Sequence, residues 1–402
     1  MNILKDILII SHFTQVPGEV GNGRFHYIAE KINKNNANVE VITSSFSHKT
    51  KKKRIVSDNQ RNSISYKLTM LYEPSYMKNI SIKRFYSHYI LGKSIKKYLK
   101  NRKKPDIIYC SVPSISVAKV AAQYAKKNNI RFIIDVQDLW PEAFRMIFCI
   151  PILNDILFYP IKRQANYIYF AADEIVAVSQ TYANKVLNVN KRCHKAYSIF
   201  LGTELELFDR LKEKNKVIEK PMNEVWLTYI GTLGQSYDLI CVMKALKKLQ
   251  DKGIKNIKFI VMGDGPLKSK FEIYAKQQDI NVEFTGRLDY GQMIGMLVVC
   301  DIAVNPIKVG SAGSIINKVG DYAAAGLPVL NTQECQEYRN IVEKYKIGLN
   351  CKGNNSDDLA GKLLKLYENK NLRKIMGKNN RRLAEEKFDR SKTYKEIIQL
   401  FE

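Results

Sequence analysis

The feature that most constrains the fold of this chain is an alternation of short apolar segments with segments of helical length. The apolar segments are rich in β-branched residues, and a helix-length stretch follows most of them. They are Asp6–Ser11, Asn38–Thr43, Asp106–Cys110, Arg131–Val136, Glu174–Val178, Trp226–Gly231, Lys258–Met262, Val282–Thr285, Asp301–Asn305 and Leu327–Leu330. This alternation predicts an α/β fold in which parallel strands are joined by crossover helices.

The length of the chain, 402 residues, exceeds what one ordinary core accommodates and suits two α/β domains. The stretch Leu211–Lys216 is charged and lacks a strand pattern, and the alternation restarts at Val225. We therefore predict a first domain over residues 1–205 and a second over residues 206–385. The C-terminal helical segment, residues 386–402, is free to pack on either domain, including back on the first.

The formal net charge of +26 restricts the partners of the chain. Nucleic acid, an anionic membrane surface and a polyphosphate substrate each fit such a charge, and compositional drift toward lysine is a further explanation. The N-terminal residues lack the apolar stretch of a secretory signal, and no apolar run reaches the roughly 18 residues of a membrane span. We therefore expect a cytoplasmic protein that is either soluble or peripherally attached to a membrane.

A glycine-rich turn precedes the first predicted helix. The turn Pro17–Arg24 can bring backbone N–H groups close to an anion or a sugar. Its glycines are Gly18, Gly21 and Gly23. Because the third glycine of the dinucleotide fingerprint is missing, a plain flexible loop is the alternative interpretation.

A polar cluster follows the predicted strand Arg131–Val136, at the sheet edge where α/β proteins bind ligands. Its members are Gln137, Asp138, Trp140 and Glu142. The alternative interpretation is that Asp138 caps a helix while Trp140 belongs to the core.

The most informative segment of the second domain is a loop of small residues followed by a short helix, Gly310–Gly326. Such a loop can present N–H groups to a diphosphate. Lys318 and Asp321 share one helix face, where a cation for phosphate and a carboxylate for ribose hydroxyls suit a nucleotide diphosphate. The alternative is an exposed ion pair between these two side chains. Gly263 and Gly265 form a weaker glycine turn after an earlier strand.

The segment Lys78–Lys104 carries ten lysine or arginine residues and no acidic residue. Its apolar residues recur at helical spacing, which favours a basic helix suited to an anionic lipid surface. These apolar residues are Ile82, Phe85, Tyr86, Tyr89, Ile90, Tyr98 and Leu99. The bases facing the lipid would be Lys83, Arg84, Lys93, Lys96, Lys97 and Lys100. The alternative is a crossover helix whose apolar stripe packs on the sheet and whose bases are solvated.

The histidines of the chain show no metal-ligand spacing, and no aspartate pair of the usual donor-metal type occurs. They are His12, His26, His48, His88 and His194. We therefore expect neither a metal nor a cofactor.

Taken in order, these segments resemble the family 4 retaining glycosyltransferases of the GT-B fold, in particular the branch that builds bacterial surface polysaccharides. Further segments that carry the resemblance are Asp173–Ser179, Leu201–Glu204, Tyr229–Gly234, Phe284–Arg287, Asp321–Gly326 and Pro328–Val329. The resemblance covers nearly the whole chain. It implies two Rossmann-like domains that face a central cleft.

The resemblance implies a nucleotide-sugar donor on the second domain and an acceptor on the first. Donor contacts would come from Gly231, Thr232, Gly263, Gly265, Arg287, Leu288, Ser311, Gly313, Ser314, Ile315, Ile316, Lys318 and Asp321. Acceptor contacts would come from Gly18, Gly21, Gly23, Gln137, Asp138, Trp140 and Glu142. Lys318, Asp138 and Asp321 would be the catalytic residues. Such enzymes need no divalent metal.

The sequence departs from the family pattern at four positions. Gly313 stands where the first glutamate of the E-x7-E pair falls, and Asp321 replaces the second glutamate. Thr232 stands where a basic residue is frequent, and Gln137 where a histidine is frequent. These departures concern the sugar contacts rather than the diphosphate site.

The resulting hypothesis is a metal-independent, retaining sugar transfer from a nucleotide-diphosphate sugar, with a UDP-sugar as the first choice. The acceptor would be a polyprenyl-diphosphate-linked glycan at the inner face of the plasma membrane, in surface-polysaccharide synthesis. A nucleotide-sugar epimerase of the same fold is the alternative enzyme. A nucleic-acid-binding protein is the alternative from another class, but no helix-turn-helix, zinc or RNA-binding signature occurs, and we expect no nucleic-acid partner.

Overall fold

The computed structural model describes residues 4–19, 23–33, 37–79, 81–142, 151–215, 219–311 and 313–402. This part of the chain divides into two compact units. The first unit contains the residues up to Phe200 together with Tyr394–Glu402, and the second contains Leu201–Thr393.

The first unit is built on a parallel sheet of seven strands, in the order β5-β2-β1-β6-β7-β8-β9. A small antiparallel hairpin of β3 and β4 lies outside it. The strands are β1 (Asp6–Ile10), β2 (Asn38–Ser44), β3 (Phe46–Ser47), β4 (Lys52–Lys53), β5 (Lys67–Leu71), β6 (Ile107–Val112), β7 (Arg131–Val136), β8 (Glu174–Ala177) and β9 (Ala196–Ser198). The helices between them are α1 (Arg24–Asn33), α2 (Asp58–Asn62), α3 (Ile82–Asn101), α4 (Ile115–Asn128), α5 (Pro151–Ala171) and α6 (Gln180–Val189).

The second unit is built on a parallel sheet of six strands, in the order β12-β11-β10-β13-β14-β15. Its strands are β10 (Val225–Ile230), β11 (Ile257–Met262), β12 (Val282–Gly286), β13 (Ile302–Asn305), β14 (Val329–Asn331) and β15 (Gly348–Asn350). Its helices are α7 (Leu205–Lys214), α8 (Leu239–Asp251), α9 (Lys268–Gln277), α10 (Tyr290–Leu297), α11 (Lys318–Ala324), α12 (Gln336–Lys344), α13 (Ser356–Glu368), α14 (Lys370–Leu383) and α15 (Arg390–Thr393), with a π-helical turn at Ala384–Phe388. A last helix, α16 (Lys395–Gln399), belongs to the first unit.

The sheets form as the apolar pattern predicts. The central strands are buried along nearly their whole length, as the pattern of β6 (Ile107–Val112) and β10 (Val225–Ile230) illustrates. Parallel sheets covered by helices on both faces require such continuous apolar strands. The predicted α/β class is therefore confirmed.

Besides the two strands of the small hairpin, three strands of the parallel sheets have no counterpart among the sequence predictions. They are β5, β9 and β15. β5 and β15 lie at sheet edges, and β9 completes the other edge of the first sheet. Edge strands are half-exposed and short, so their apolar signal is weak.

The C-terminal segment divides between the two units. Residues 386–393 belong to the second unit, because Thr203 N donates to Phe388 O at 2.7 Å and Arg390 N donates to Thr203 O at 3.2 Å. The following residues return to the first unit, where Tyr394 and Phe401 are buried in its core. The division between the units falls at Leu201 rather than after residue 205, since these hydrogen bonds tie the residues before α7 to the second unit.

Candidate functional site

The second sheet has a topological switch point between β10 and β13. From β10 the chain continues to β11 and β12 on one side, and it returns on the other side at β13. Ligands of open α/β sheets bind outside the carboxyl ends of the strands at such a point. Gly231 and Thr232 follow β10, and the small-residue loop Ser311–Ile316 follows β13. The predicted donor residues of these two segments therefore lie at one edge of the sheet.

Lys318 begins α11 and extends its side chain toward the end of β10. A methyl group added at Gly231 would lie 3.0 Å from its Nζ. The ammonium lies 3.8 Å from the ring centroid of Tyr229 and 3.9 Å from that of Tyr237. Lys318 is 8% exposed, and its Nζ has no hydrogen-bond partner among the described residues. Burial lowers the pKa of Lys318 well below its ordinary value. A bound anion would supply the missing partner.

Asp321 lies on the same helix but has other partners than Lys318. The Tyr290 hydroxyl donates to its Oδ1 at 2.9 Å, and the Thr203 hydroxyl donates at 3.3 Å. Burial raises the pKa of Asp321 to about 6, and these two hydrogen bonds oppose the rise. Because Nζ of Lys318 is unpartnered in the described part of the chain, the alternative of an exposed Lys318–Asp321 ion pair is wrong.

A ladder of side-chain amides holds the loop before α11. Nδ2 of Asn305 donates to Oδ1 of Asn331 at 3.0 Å and to Oε1 of Gln333 at 3.2 Å. The amide of Gln333 in turn donates to the backbone oxygen of Ser314. The hydroxyl of Ser314 is buried without a hydrogen-bond partner within the described residues. Ser314 therefore offers a second unpartnered polar group at the switch point.

The other loop residues differ in exposure. Gly313, at the position of the family's first glutamate, is exposed, Ile315 is buried, and Ser311 and Ile316 are half-buried. Arg287 is exposed and Leu288 half-buried in the segment after β12, an edge strand that lies beyond β11 from the switch point. These last two residues therefore follow a different strand from the loop that precedes Lys318.

Gly263 and Gly265 allow the loops after β10 and β11 to touch. A methyl group at Gly263, where φ is +156°, would lie 1.8 Å from the backbone oxygen of Gly231. One at Gly265 would lie 2.5 Å from the backbone oxygen of Leu233. These glycines were predicted as donor contacts. Their surroundings show that they first of all permit backbone-to-backbone packing beside the site.

The first sheet has its own switch point, between β1 and β6. Gly18 and Gly23 lie in the turn after β1 with φ of +87° and +68°, the left-handed region that favours glycine. The backbone N–H of Gly23 donates to the side-chain oxygen of Gln15 at 2.9 Å. Gly21 lies outside the described residues. Arg24, which follows, is buried and bonded to Asp135 at 2.7 Å, so it anchors α1 in the core.

The polar cluster after β7 is largely enclosed. Asp138 accepts hydrogen bonds from Leu139 N at 2.9 Å and from the Tyr182 hydroxyl at 3.3 Å. Burial raises the pKa of Asp138 to about 6 against the effect of these bonds. Gln137 is half-buried, and its Nε2 has no partner among the described residues. Glu142 lies 3.3 Å from Lys185 in a half-exposed ion pair.

Trp140 is buried, as the core interpretation expects, yet it also contacts polar groups. Its ring is stacked on His88 at a centroid distance of 5.8 Å, and the Arg84 guanidinium lies 5.1 Å from its centroid. Arg84 is half-buried there. It therefore differs from the other bases predicted to face lipid, which are exposed.

The structure brings together three groups that sequence spacing could not connect. Ligand-type atoms of His12, Glu73 and His88 lie within 4.8 Å of one another, all buried. Nε2 of His12 and Oε2 of Glu73 are 2.8 Å apart, and Arg84 Nε donates to Nε2 of His88 at 3.4 Å. Because these atoms already bond to one another or to a cation, we interpret the cluster as a buried hydrogen-bond network.

The basic helix α3 does not bury the first half of its apolar stripe. Its buried residues are Ser87, His88, Leu91, Gly92, Ile95 and Leu99. Ile82 is 89% exposed, and Phe85, Tyr86 and Tyr89 are also exposed. The alternative interpretation, in which this apolar stripe packs on the sheet, is therefore wrong for the first half of the stripe. Among the described residues, no helix has the length and apolar character needed to cross a membrane.

Comparison with known protein families finds a family model that matches most of the second unit. Residues 211–383 match the family model described as Glycosyl transferases group 1. This range holds Lys318, Asp321 and every other predicted donor residue. The second unit therefore carries a glycosyltransferase group 1 domain, and the switch-point site lies inside it.

Over 250 residues the chain is 25% identical to the uncharacterized glycosyltransferase MJ1069 of Methanocaldococcus jannaschii. The match covers 62% of this chain and 63% of that protein. The chain thus spans less than two thirds of the length of this curated relative.

Two solved structures share the fold over nearly the whole chain. Anabaena Alr3699/HepE in complex with UDP superposes with a TM-score of 0.68 at 13% identity, covering 98% of this chain and 99% of that one. WaaG, a glycosyltransferase involved in lipopolysaccharide biosynthesis, superposes with a TM-score of 0.67 at 15% identity, covering 98% and 99%. These likenesses confirm the GT-B fold class.

Sequence reasoning missed the residues that surround the two charged groups of α11. They are Thr203, Tyr229, Tyr237, Tyr290 and the amide ladder. Tyr229 lies in a strand and Tyr290 at a helix start, where each looks like an ordinary core or surface residue. Two of them lie in segments that carry the resemblance, Thr203 in Leu201–Glu204 and Tyr229 in Tyr229–Gly234.

Proposed function

We propose that this chain is a glycosyltransferase that moves a sugar from a nucleotide-diphosphate sugar, with a UDP-sugar as the first choice. The observation that carries the proposal is the buried, unpartnered ammonium of Lys318 at the switch point of a group 1 glycosyltransferase domain. A buried cation without a partner is costly, and a diphosphate is the ligand that would offset that cost. The UDP in the HepE structure supports the choice of nucleotide.

In this proposal the donor lies along the carboxyl edge of the second sheet. Lys318 and the N–H groups of the loop Ser311–Ile316 hold the diphosphate, and Asp321 accepts a hydrogen bond from a ribose hydroxyl. Asp321 is suited to this because it already accepts hydroxyl donors from Tyr290 and Thr203. The base lies toward Arg287 and Leu288, beyond β11.

The reaction we propose is a front-side displacement with retention. The acceptor oxygen bonds to the anomeric carbon while the bond from that carbon to the diphosphate oxygen breaks. The acceptor proton passes to the leaving diphosphate, whose negative charge Lys318 and loop N–H groups stabilise. Because an ammonium at this position places a positive charge beside the leaving group, the proposed mechanism uses no divalent metal. Asp138, with its raised pKa, would orient the acceptor hydroxyl on the first unit.

The acceptor we propose is a polyprenyl-diphosphate-linked glycan at the inner face of the plasma membrane, in surface-polysaccharide synthesis. One exposed face of α3 supports a membrane location. It runs from apolar Ile82, Tyr86 and Tyr89 to basic Lys93, Lys96, Lys97 and Lys100, at helical spacing. Lys83 is exposed next to it. Exposed aromatic and aliphatic groups beside lysines suit insertion into the headgroup layer of anionic lipid.

The test is release of UDP from UDP-glucose and UDP-N-acetylglucosamine in the presence of vesicles that contain a polyprenyl-diphosphate sugar. The proposal expects release that depends on these vesicles and a product whose anomeric configuration, read by NMR, equals that of the donor. Interconversion of the donor into its epimer without an acceptor would instead establish the epimerase alternative. Absence of any turnover, together with binding of duplex DNA alone, would overturn the proposal.

A further inference from the structure

Two cationic side chains of the first unit converge on one neutral residue. Nζ of Lys51 donates a hydrogen bond to the side-chain oxygen of Asn79 at 2.6 Å. Nη1 of Arg84 donates one to the backbone oxygen of Asn79, also at 2.6 Å. Because Asn79 is neutral, it holds the two cations near each other without compensating their charge.

Aromatic rings form one wall around these cations. The Arg84 guanidinium lies 5.1 Å from the ring centroid of Trp140 and 5.8 Å from that of Phe13. Nζ of Lys51 lies 4.6 Å from the ring centroid of Tyr76. These rings replace water, so the two cations are less hydrated than ordinary surface lysines. Both side chains remain half-buried, so solvent still reaches them.

The charges of Lys51 and Arg84 are incompletely compensated. Burial, together with the nearby charge of Arg84, lowers the pKa of Lys51 to about 8. Burial also lowers the pKa of Arg84. Glu73 acts in the opposite direction on both groups, but its carboxylate is 4% exposed and already bonds to Ser87 and His12. The cations therefore lie nearer to the solvent than the carboxylate does, and an incoming anion meets them first.

The position of the pair within the fold is that of a ligand site. His48 and Lys51 follow β2 and β3, and Arg84 lies in the first turn of α3, at the carboxyl edge of the first sheet. Asp138, at the end of β7, is close enough to raise the pKa of Arg84. Nε2 of Gln137, beside it, is buried without a partner among the described residues. An unpartnered donor and two cations at one sheet edge match the chemistry of an oxyanion.

We propose that Lys51 and Arg84 form an anion subsite that binds a phosphate or diphosphate group of the acceptor. The inference rests on the proposed function, in which the first unit holds the acceptor, and it assigns the residues that bind a phosphate group of that acceptor. Its phosphate group lies between the two cations, and its reacting sugar extends toward Asp138. The same chemistry occurs in a lipid-linked diphosphate and in a soluble sugar phosphate.

The experiment measures binding of inorganic pyrophosphate to the full chain by titration calorimetry. The donor site is removed from the measurement by the Lys318→Met substitution or, in a second series, by saturating UDP. We expect Arg84→Gln and Lys51→Asn each to weaken pyrophosphate binding by about 10-fold or more, as loss of a charged hydrogen bond requires. Asparagine suits position 51, where φ is +59°. Arg84→Lys, which keeps the charge, should retain most of the affinity.

Lys83→Gln is the matched control, since Lys83 precedes Arg84 on the same helix but is exposed. The inference is overturned if pyrophosphate binds equally well to Arg84→Gln and Lys51→Asn, or if Lys83→Gln weakens binding as much as they do. Farnesyl diphosphate and glucose 6-phosphate then distinguish the two sources. Whichever binds more tightly must also lose affinity in the Arg84→Gln chain. Failure of UDP to bind the wild-type chain would count against the proposed function and leave this subsite standing.

Discussion

Replacing Lys318 by methionine tests separately how much stability the buried ammonium costs the fold and how much donor affinity it provides. Methionine has a similar length and a polarizable sulfur that packs well against aromatic rings, here those of Tyr229 and Tyr237. The substitution removes the charge while filling the same space. We expect the unliganded variant to be more stable than the wild type and to have lost its affinity for the donor.

The magnitude follows from the contacts of Lys318. A buried polar group without a partner costs about 1–3 kcal/mol, and more when it is charged. The cation–π contacts with the two tyrosine rings stabilise a desolvated cation by about 2 kcal/mol each, which does not offset the several kcal/mol of hydration that the ammonium loses. We therefore expect the free energy of unfolding to rise by about 1–3 kcal/mol, or roughly 2–4 °C in Tm for each kcal/mol in a unit of this size.

The pH dependence has a definite sign. Burial lowers the pKa of Lys318, so the unfolded chain binds more protons than the folded chain between the folded pKa and the ordinary lysine value. The wild type therefore gains stability as pH rises through this window, and the methionine variant lacks the gain.

The assay is thermal unfolding with and without UDP. At a UDP concentration of 100 times Kd the wild type should gain about 2.7 kcal/mol of stability. The variant should gain nothing, and its rate of transfer should fall by about 2–4 kcal/mol of transition-state stabilisation. Lys374→Met, at an exposed position of α14, is the control and should change neither quantity. A variant that is less stable than the wild type, or that keeps the full UDP response, would refute the reasoning.

Three further predictions concern other parts of the chain. The affinity of the wild type for UDP should fall as the pH drops through about 6, where Asp321 takes up a proton, and it should fall more steeply than the affinity of Asp321→Asn. If calorimetry gives the same dependence of UDP affinity on pH for both chains, Asp321 does not belong to the donor site. Gly263→Ala should lower the free energy of unfolding by about 1–3 kcal/mol or more, because its methyl group would lie 1.8 Å from a backbone oxygen; an unchanged Tm would contradict the loop geometry. Substitution of four lysines of α3 by glutamine should abolish salt-sensitive binding of the chain to anionic vesicles; these lysines are Lys93, Lys96, Lys97 and Lys100. Removal of four exposed lysines from the second unit should leave this binding unchanged. Binding that persists in 1 M salt would argue against electrostatic attachment.

The sequence predicts the architecture well because the architecture depends on local pattern. Continuous apolar strands such as β6 and β10 predict a parallel sheet, and Gly231 marks the end of β10. The strands of the two parallel sheets that escaped prediction are edge strands, whose side chains are half-exposed and carry less apolar signal. The segment at residues 386–393 was hard to place because backbone hydrogen bonds to Thr203, not side-chain pattern, decide its unit.

The candidate site was predictable only in part. Lys318 and Asp321 stand out in sequence, and the helix indeed carries both. Their separate environments depend on residues far away in the chain, since Lys318 lies between Tyr229 and Tyr237 while Asp321 bonds to Tyr290. No spacing rule connects such positions, because crossover connections bring them together.

For the basic helix α3, the sequence predicts the helix itself but not the face that it buries. Its apolar spacing was correct for a helix, yet the face it buries begins at Ser87 and His88 rather than at Ile82. Arg84, counted among the surface bases, packs on Trp140 instead. Which face of an amphipathic helix is buried depends on its neighbours, and the sequence of the helix alone does not contain them.

In the proposed function, the switch point of the second unit binds a nucleoside diphosphate through Lys318. The most direct measurement is equilibrium titration of UDP, GDP, ADP, NAD and duplex DNA into the full chain at physiological salt, repeated with Lys318→Met. We expect saturable binding of a nucleoside diphosphate, with UDP the first choice, to the wild type and no such binding to the variant. Binding of duplex DNA alone, or nucleotide binding that Lys318→Met leaves unchanged, would contradict it.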